Sequence, residues 1–153
     1  MTEIILHIGK VGFRNGVVNA GVNCAVAWGT RFIDQIPTQG IMPAAIVGVI
    51  HSFTRITTFQ VLNKTPLYDC IRYFFQKNVK HLSDKEAWDE ITQEGKRTNN
   101  AIKIIAGLVG IVAASTVTPA IASFINRTIS YKEAACFALI STLSTYAYDK
   151  LVK

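Results

Sequence analysis

The sequence predicts an all-α, helical integral membrane protein in which two transmembrane helical hairpins are joined by an amphipathic helical middle segment. Half of the residues are apolar, only 17% are charged, and the charges leave four long uncharged stretches between them. Soluble domains carry about 25% charged residues, so the excess apolar surface must be buried in protein or in lipid. The 153 residues amount to one domain. They divide into a hairpin at 12–54, a charged amphipathic segment at 55–103 and a hairpin at 104–148.

The first stretch lies between Arg14 and Arg31 and has 16 uncharged residues. That is short for a helix crossing a ~30 Å hydrocarbon core, which takes about 20. It carries Asn15, Asn19 and Asn23, an i, i+4, i+8 stripe whose amides need partner helices or water. The second stretch, from Asp34 to Arg55, has 20 uncharged residues and is opened by Pro37 and Gly40. The third, from Lys103 to Arg127, runs 23 residues without a charge and is the strongest transmembrane signal. Pro119 is expected to kink it or loosen its last turn. The fourth, from Glu133 to Asp149, has 15 residues rich in hydroxyls. Short links at 31–35 and 127–133 pair the first stretch with the second and the third with the fourth, so each weak span can turn its polar groups to a partner.

Small residues recur every four positions in all four stretches. They are Gly12, Gly16, Ala20 and Cys24; Gly40, Ala44, Gly48 and Ser52; Ala106, Gly110, Ala114, Thr118 and Ala122; and Ala134, Ala138 and Thr142. This spacing keeps them on one helix face, where missing bulk lets two backbones approach. A leucine at Gly110 should therefore weaken helix association more than one at Val109.

Between the hairpins the character changes. Thr65 followed by Pro66 predicts a helix start, and Leu67, Ile71, Phe74, Phe75 and Val79 then share a face. Ser83 with Glu86 predicts a capping box for a second helix through Trp88 towards Gly95. Tyr68, Tyr73, Phe74, Phe75 and Trp88 among basic residues suit a position in the headgroup region. A soluble helical hairpin covering the ends of the spans is the competing expectation.

The charge of +6 does not imply nucleic acid, because residues 55–103 hold nine of the sixteen basic residues together with six of the ten acidic ones. Cys24, Cys70 and Cys136 are widely spaced and suit neither a disulfide framework nor a metal site. His7, His51 and His81 have no ligand-spaced companions, and no phosphate loop, nucleophile elbow or paired apolar carboxylate is present. No cofactor is expected, and no catalysis. Glu3 precedes the first apolar run and Lys10 and Arg14 follow it, so the insertion signal is expected to be a span rather than a cleaved leader.

Gly12-Phe13-Arg14-Asn15, Trp88 and the glycine ladders on four spans resemble fragments of the mitochondrial Tim translocase group. The charged segment at 55–103 departs from that group's compact arrangement. The closing hairpin at 104–148 is similar in layout to the two-lobed hydrophobic hairpin of chlamydial inclusion-membrane proteins. Both resemblances cover layout and a few residues, and neither carries a function to this chain.

The expected role is a structural subunit or interaction scaffold whose partners are the bilayer and other membrane helices or further copies of itself. A holin-like or transport-assisting pore-forming oligomer, with the Asn stripe facing water, is one alternative; a soluble helical bundle is the other. With four spans, thirteen basic residues fall on the side of both termini and the middle segment, and three, Arg31, Arg127 and Lys132, on the other. Basic flanks stay on the cytoplasmic or equivalent side, which is where the termini and 55–103 are expected.

Overall fold

The computed structural model describes residues 2–30, 40–93 and 95–151, and these contain six α-helices and no strand. The helices are α1 (Thr2–Gly29), α2 (Ile41–Lys64), α3 (Leu67–Asn78), α4 (Asp84–Gln93), α5 (Gly95–Phe124) and α6 (Tyr131–Leu151). Two of them, α2 and α5, are long and apolar enough to cross a membrane. The first link, 31–35, lies outside the described residues.

The helices overrun the uncharged stretches. α1 begins ten residues ahead of the expected start at 12, α2 continues past Arg55 to Lys64, and α5 begins at Gly95 rather than 104. Backbone hydrogen bonds from i to i−4 do not depend on whether a side chain is charged, so Arg14, Arg55 and Lys103 bound the apolar part of each helix without ending it. The separate middle shrinks to α3 and α4.

Helix ends follow local chemistry. α5 runs through Pro119 and stops at a left-handed residue, Asn126 (φ 54°). The Arg127 amide donates to the Ala122 carbonyl (2.9 Å) and that of Asn126 to Ser123 (3.2 Å), the Schellman pairing. Three residues later a capping box starts α6: the Ser130 amide donates to Glu133 Oε2 (2.7 Å) and the Glu133 amide to Ser130 Oγ (3.2 Å). The expected box at Ser83 and Glu86 is present as well. Thr65 differs from expectation. Its hydroxyl donates back to the Val61 carbonyl and it closes α2, while Pro66 is the N-cap of α3. With two residues between the helices, Thr65 satisfies the helix it leaves.

α1, α2, α5 and α6 form an up-and-down bundle. α1 runs antiparallel to α2: Gly12 lies against Phe53, Gly16 against Val49, and Asn23 against Ala44. α5 runs antiparallel to α2, with Gly110 at His51 and Ile102 beside Leu62. α6 closes the bundle against α1, α2 and α5, so α2 touches every other long helix. The core is built largely of alanine, including Ala44, Ala114, Ala122, Ala134 and Ala138, with Val47, Ile129 and Phe137 as its bulkier members. Small side chains bring the axes close, and polar groups then meet across the interior.

α3 docks on the bundle through Tyr68, buried with Leu62 and Ile102. α4 folds back on α3. The Tyr73 ring stacks on Trp88 at 5.2 Å, Lys77 Nζ lies 2.8 Å from Asp84 Oδ1, and the Tyr73 hydroxyl donates to the same oxygen (2.8 Å). The hydrogen bonds from Lys77 and Tyr73 hold the Asp84 carboxyl below its ordinary range. A depressed folded value means the contribution is present at neutral pH and is lost as pH falls through that value. In a Trp28→Phe background, Trp88 fluorescence should therefore report a loosened α3–α4 contact only below the usual carboxylate range. Asp84→Asn should show the loosened signal already at neutral pH; a Trp88 signal identical in the two proteins at every pH would remove this account.

Candidate functional site

Inside the four-helix bundle, polar side chains form a seam. Asn15, Asn19 and Asn23 all face inward from α1 and are buried, Asn23 completely. Asn19 Nδ2 donates to Ser52 Oγ on α2 (2.7 Å) and to Thr145 Oγ1 on α6 (2.9 Å). One turn along, Asn23 Nδ2 donates to the Ala44 carbonyl on α2 (3.1 Å) and to Ser141 Oγ on α6 (3.0 Å). Each amide thus uses both hydrogens to tie α1 to two helices at once.

The direction of these bonds is set by the hydroxyls. Ser52 gives its own hydrogen to the Gly48 carbonyl (2.8 Å), Ser141 to Phe137 (3.0 Å) and Thr145 to Ser141 (2.8 Å). A hydroxyl has one hydrogen, so all three can only accept from α1. Thr142 likewise donates to the Ala138 carbonyl (3.0 Å) and stands 2.9 Å from His51 Nε2, which places a hydrogen on Nε2 that is donated across to α6. Among the described residues, four polar atoms of the bundle are buried without a protein partner: Asn19 Oδ1, Asn23 Oδ1, His51 Nδ1 and Thr118 Oγ1.

Small residues are what permit the seam. A Cβ built on Gly48 would fall 2.7 Å from backbone atoms of Asn19 and Ala20, and one on Gly110 would fall 3.0 Å from the His51 ring. Gly12 faces the Phe53 ring at 2.9 Å, whereas Gly16 has ordinary contacts at 3.7 Å. Ala44, Ala106 and Ala114 are completely buried, and Ala20 is half-buried against Gly48. Gly40 stands apart from its ladder, since it precedes α2 with φ 142°, a conformation open to glycine. The ladders therefore face helices of the same chain.

Of the aromatic residues expected together in the middle segment, Phe74, Phe75 and Trp88 are exposed, Tyr73 is half-buried by its stack, and Tyr68 is buried and anchors α3. The sequence reading missed His51, Ser141 and Thr145 as members of the seam. Ser52 and Thr142 were visible in the ladders as small residues, without their hydrogen-bonding role.

The arrangement can hold helices in register; it has no paired acid and base. Among the described residues, no three of His, Cys, Asp and Glu are grouped to hold a metal ion. Comparison with protein-family models, curated proteins and solved structures finds no match.

Proposed function

We propose that this chain is a non-catalytic integral membrane protein, with α1, α2, α5 and α6 crossing the bilayer as two hairpins, that serves as a structural subunit or interaction scaffold. The observation that carries it is the inverted distribution of polarity. Amides, hydroxyls and an imidazole occupy the interior, while Phe13, Val17, Met42, Leu108, Val112 and Leu143 stand exposed on the outer faces of the four helices. Water favours the opposite arrangement; lipid favours this one. Only 28% of the apolar window of α5 is buried in the bundle, far less than the central helix of a soluble protein requires. From Ile104 to Phe124 that helix extends about 30 Å at 1.5 Å per residue, the depth of a hydrocarbon core.

The scaffold role is supported by the closed seam, in which both asparagine amides spend their hydrogens on neighbouring helices. α3 adds an exposed apolar face of Leu67, Ile71, Phe74 and Phe75, suited to lying among headgroups. The transport-assisting alternative draws on one observation, the four unpartnered polar atoms, to which water could bond.

The chain should stay in the membrane fraction through a carbonate wash, and release into the supernatant would overturn the proposal. Reconstituted in liposomes it should leave a trapped dye inside; release of the dye would favour the pore. Orientation is tested at Thr38, which lies outside the described residues. A Thr38→Cys variant lacking the three native cysteines should react with an impermeant thiol reagent only from the side opposite the termini. Labelling from the near side alone would reject the first hairpin as a span.

A further inference from the structure

The first charged positions met on leaving the apolar middle of the bundle are Arg14 on α1, Arg55 on α2, Lys103 on α5 and Asp149 on α6, and they line one cavity of about 110 Å³. Three cations and one anion leave the cavity two charges positive. Asp149 offsets Arg55 only loosely: the closest approach is 3.6 Å, longer than the 2.7–2.9 Å of a charge-assisted hydrogen bond, and the Arg55 side chain is 16% exposed. Arg14 is held over the Tyr148 ring at 5.6 Å, which directs its guanidinium without neutralising it. Asn15 lines the same cavity, 8% exposed, and its amide has no hydrogen-bond partner among the described residues. The seam partners Asn19 and Asn23; here the third amide of the stripe stands open beside three cations.

A second hollow adjoins the first and shares Arg55 and Lys103 with it. This groove of about 340 Å³ runs between α5 and α6 along Ile104, Leu108, Leu139 and Leu143, and its remaining wall is almost wholly apolar. A cationic cavity at the edge of an apolar belt, beside an apolar groove that runs along the belt, is complementary to one kind of molecule. We propose that it is an anionic phospholipid, its phosphate held by Arg14, Arg55, Lys103 and Asn15 and an acyl chain lying in the groove between α5 and α6. Guanidinium groups present a planar fork of donors to phosphate oxygens, and basic pockets between membrane helices are suited to such headgroups. The cavity has room for several water molecules, which the phosphate displaces. The inference rests on the membrane placement proposed above.

The full chain is placed in nanodiscs of phosphatidylcholine with and without a minority of phosphatidylglycerol, and melting temperature and retained lipid are measured. Phosphatidylglycerol should raise the melting temperature and be retained. Lys103→Gln should lose most of the rise in melting temperature that phosphatidylglycerol gives and bind phosphatidylglycerol roughly fivefold more weakly, the factor one basic residue supplies near an anionic leaflet. Leu143→Trp, at an exposed wall position, should weaken binding by filling the groove, and Lys132→Gln, at the opposite end of the bundle, should not. Equal melting in the two lipids, or equal loss with Lys103→Gln and Lys132→Gln, would overturn the proposal. So would full stabilisation by inorganic phosphate in phosphatidylcholine discs, since the groove would then have no part. A chain stripped from membranes by carbonate fails the underlying placement; one that stays inserted without lipid preference fails this proposal alone.

Discussion

Gly48→Leu is expected to abolish the folded bundle, and Gly48→Ala alone to destabilise it by about 1–3 kcal/mol through overpacking. The added Cβ would lie 2.7 Å from Ala20 N and Asn19 C and 2.9 Å from the Asn19 carbonyl oxygen. All three are backbone atoms of α1 and cannot rotate aside as a side chain can. α1 would have to move off α2, stretching the 2.7 Å bond from Asn19 to Ser52 as it does so. Gly21→Ala is the comparison, because nothing lies within 4 Å of a Cβ there. It should stabilise by up to about 1 kcal/mol through helix propensity. Denaturant midpoints in detergent separate the two, and equal midpoints for the alanine variants would show that the α1–α2 contact is looser than described.

On the membrane placement proposed above, Asn23→Asp should cost about 3 kcal/mol, the scale set by an acid at the centre of a membrane helix. The shape is nearly unchanged, so the effect isolates chemistry. Nδ2 donates to the Ala44 carbonyl at 3.1 Å and to Ser141 Oγ at 3.0 Å in a site with no solvent exposure. A carboxylate has no hydrogen for either and sets an oxygen against the carbonyl. The same change at Asn15, two turns away in the cavity lined by Arg14, Arg55 and Lys103, should be neutral or stabilising. If both substitutions shift the unfolding midpoint equally, position along the stripe is irrelevant and the seam is not the holding element.

The four long helices were legible because charge is scarce in this chain and its absence over 15 to 23 residues is conspicuous. Their ends were not. Arg14, Arg55 and Lys103 mark where a side chain no longer suits an apolar environment, whereas helix ends depend on caps such as Ser130 with Glu133 and the left-handed Asn126, which are local and easily passed over. The Ser130 box had the same spacing as the one recognised at Ser83. Half of the seam was legible in the same way, since three asparagines at helical spacing can be seen in one strip of sequence. Their acceptors could not be seen, because a serine or threonine in a small-residue ladder looks the same whether it only makes room or also accepts a bond. Pairing His51 with Thr142 needs the register between helices 91 residues apart, which comes only from packing. The cationic cavity was hidden for a related reason: its four charges come from four helices.

The way the seam is tied also dictates a timetable. Asn19 reaches Thr145 across 126 positions and Asn23 reaches Ser141 across 118. A ribosome extends a chain by roughly 5–20 residues per second, so α1 waits many seconds for α6 to exist. During that interval α1 and α2 can pair through Gly48, but half of the side-chain amide hydrogens of Asn19 and Asn23 have no acceptor. The α1–α2 pair is thus an unfinished structure with exposed donors at its middle, the kind of surface that chaperones and proteases act on. α6 is the helix that ends that exposure, which gives residues 131–151 a hold over the survival of the bundle.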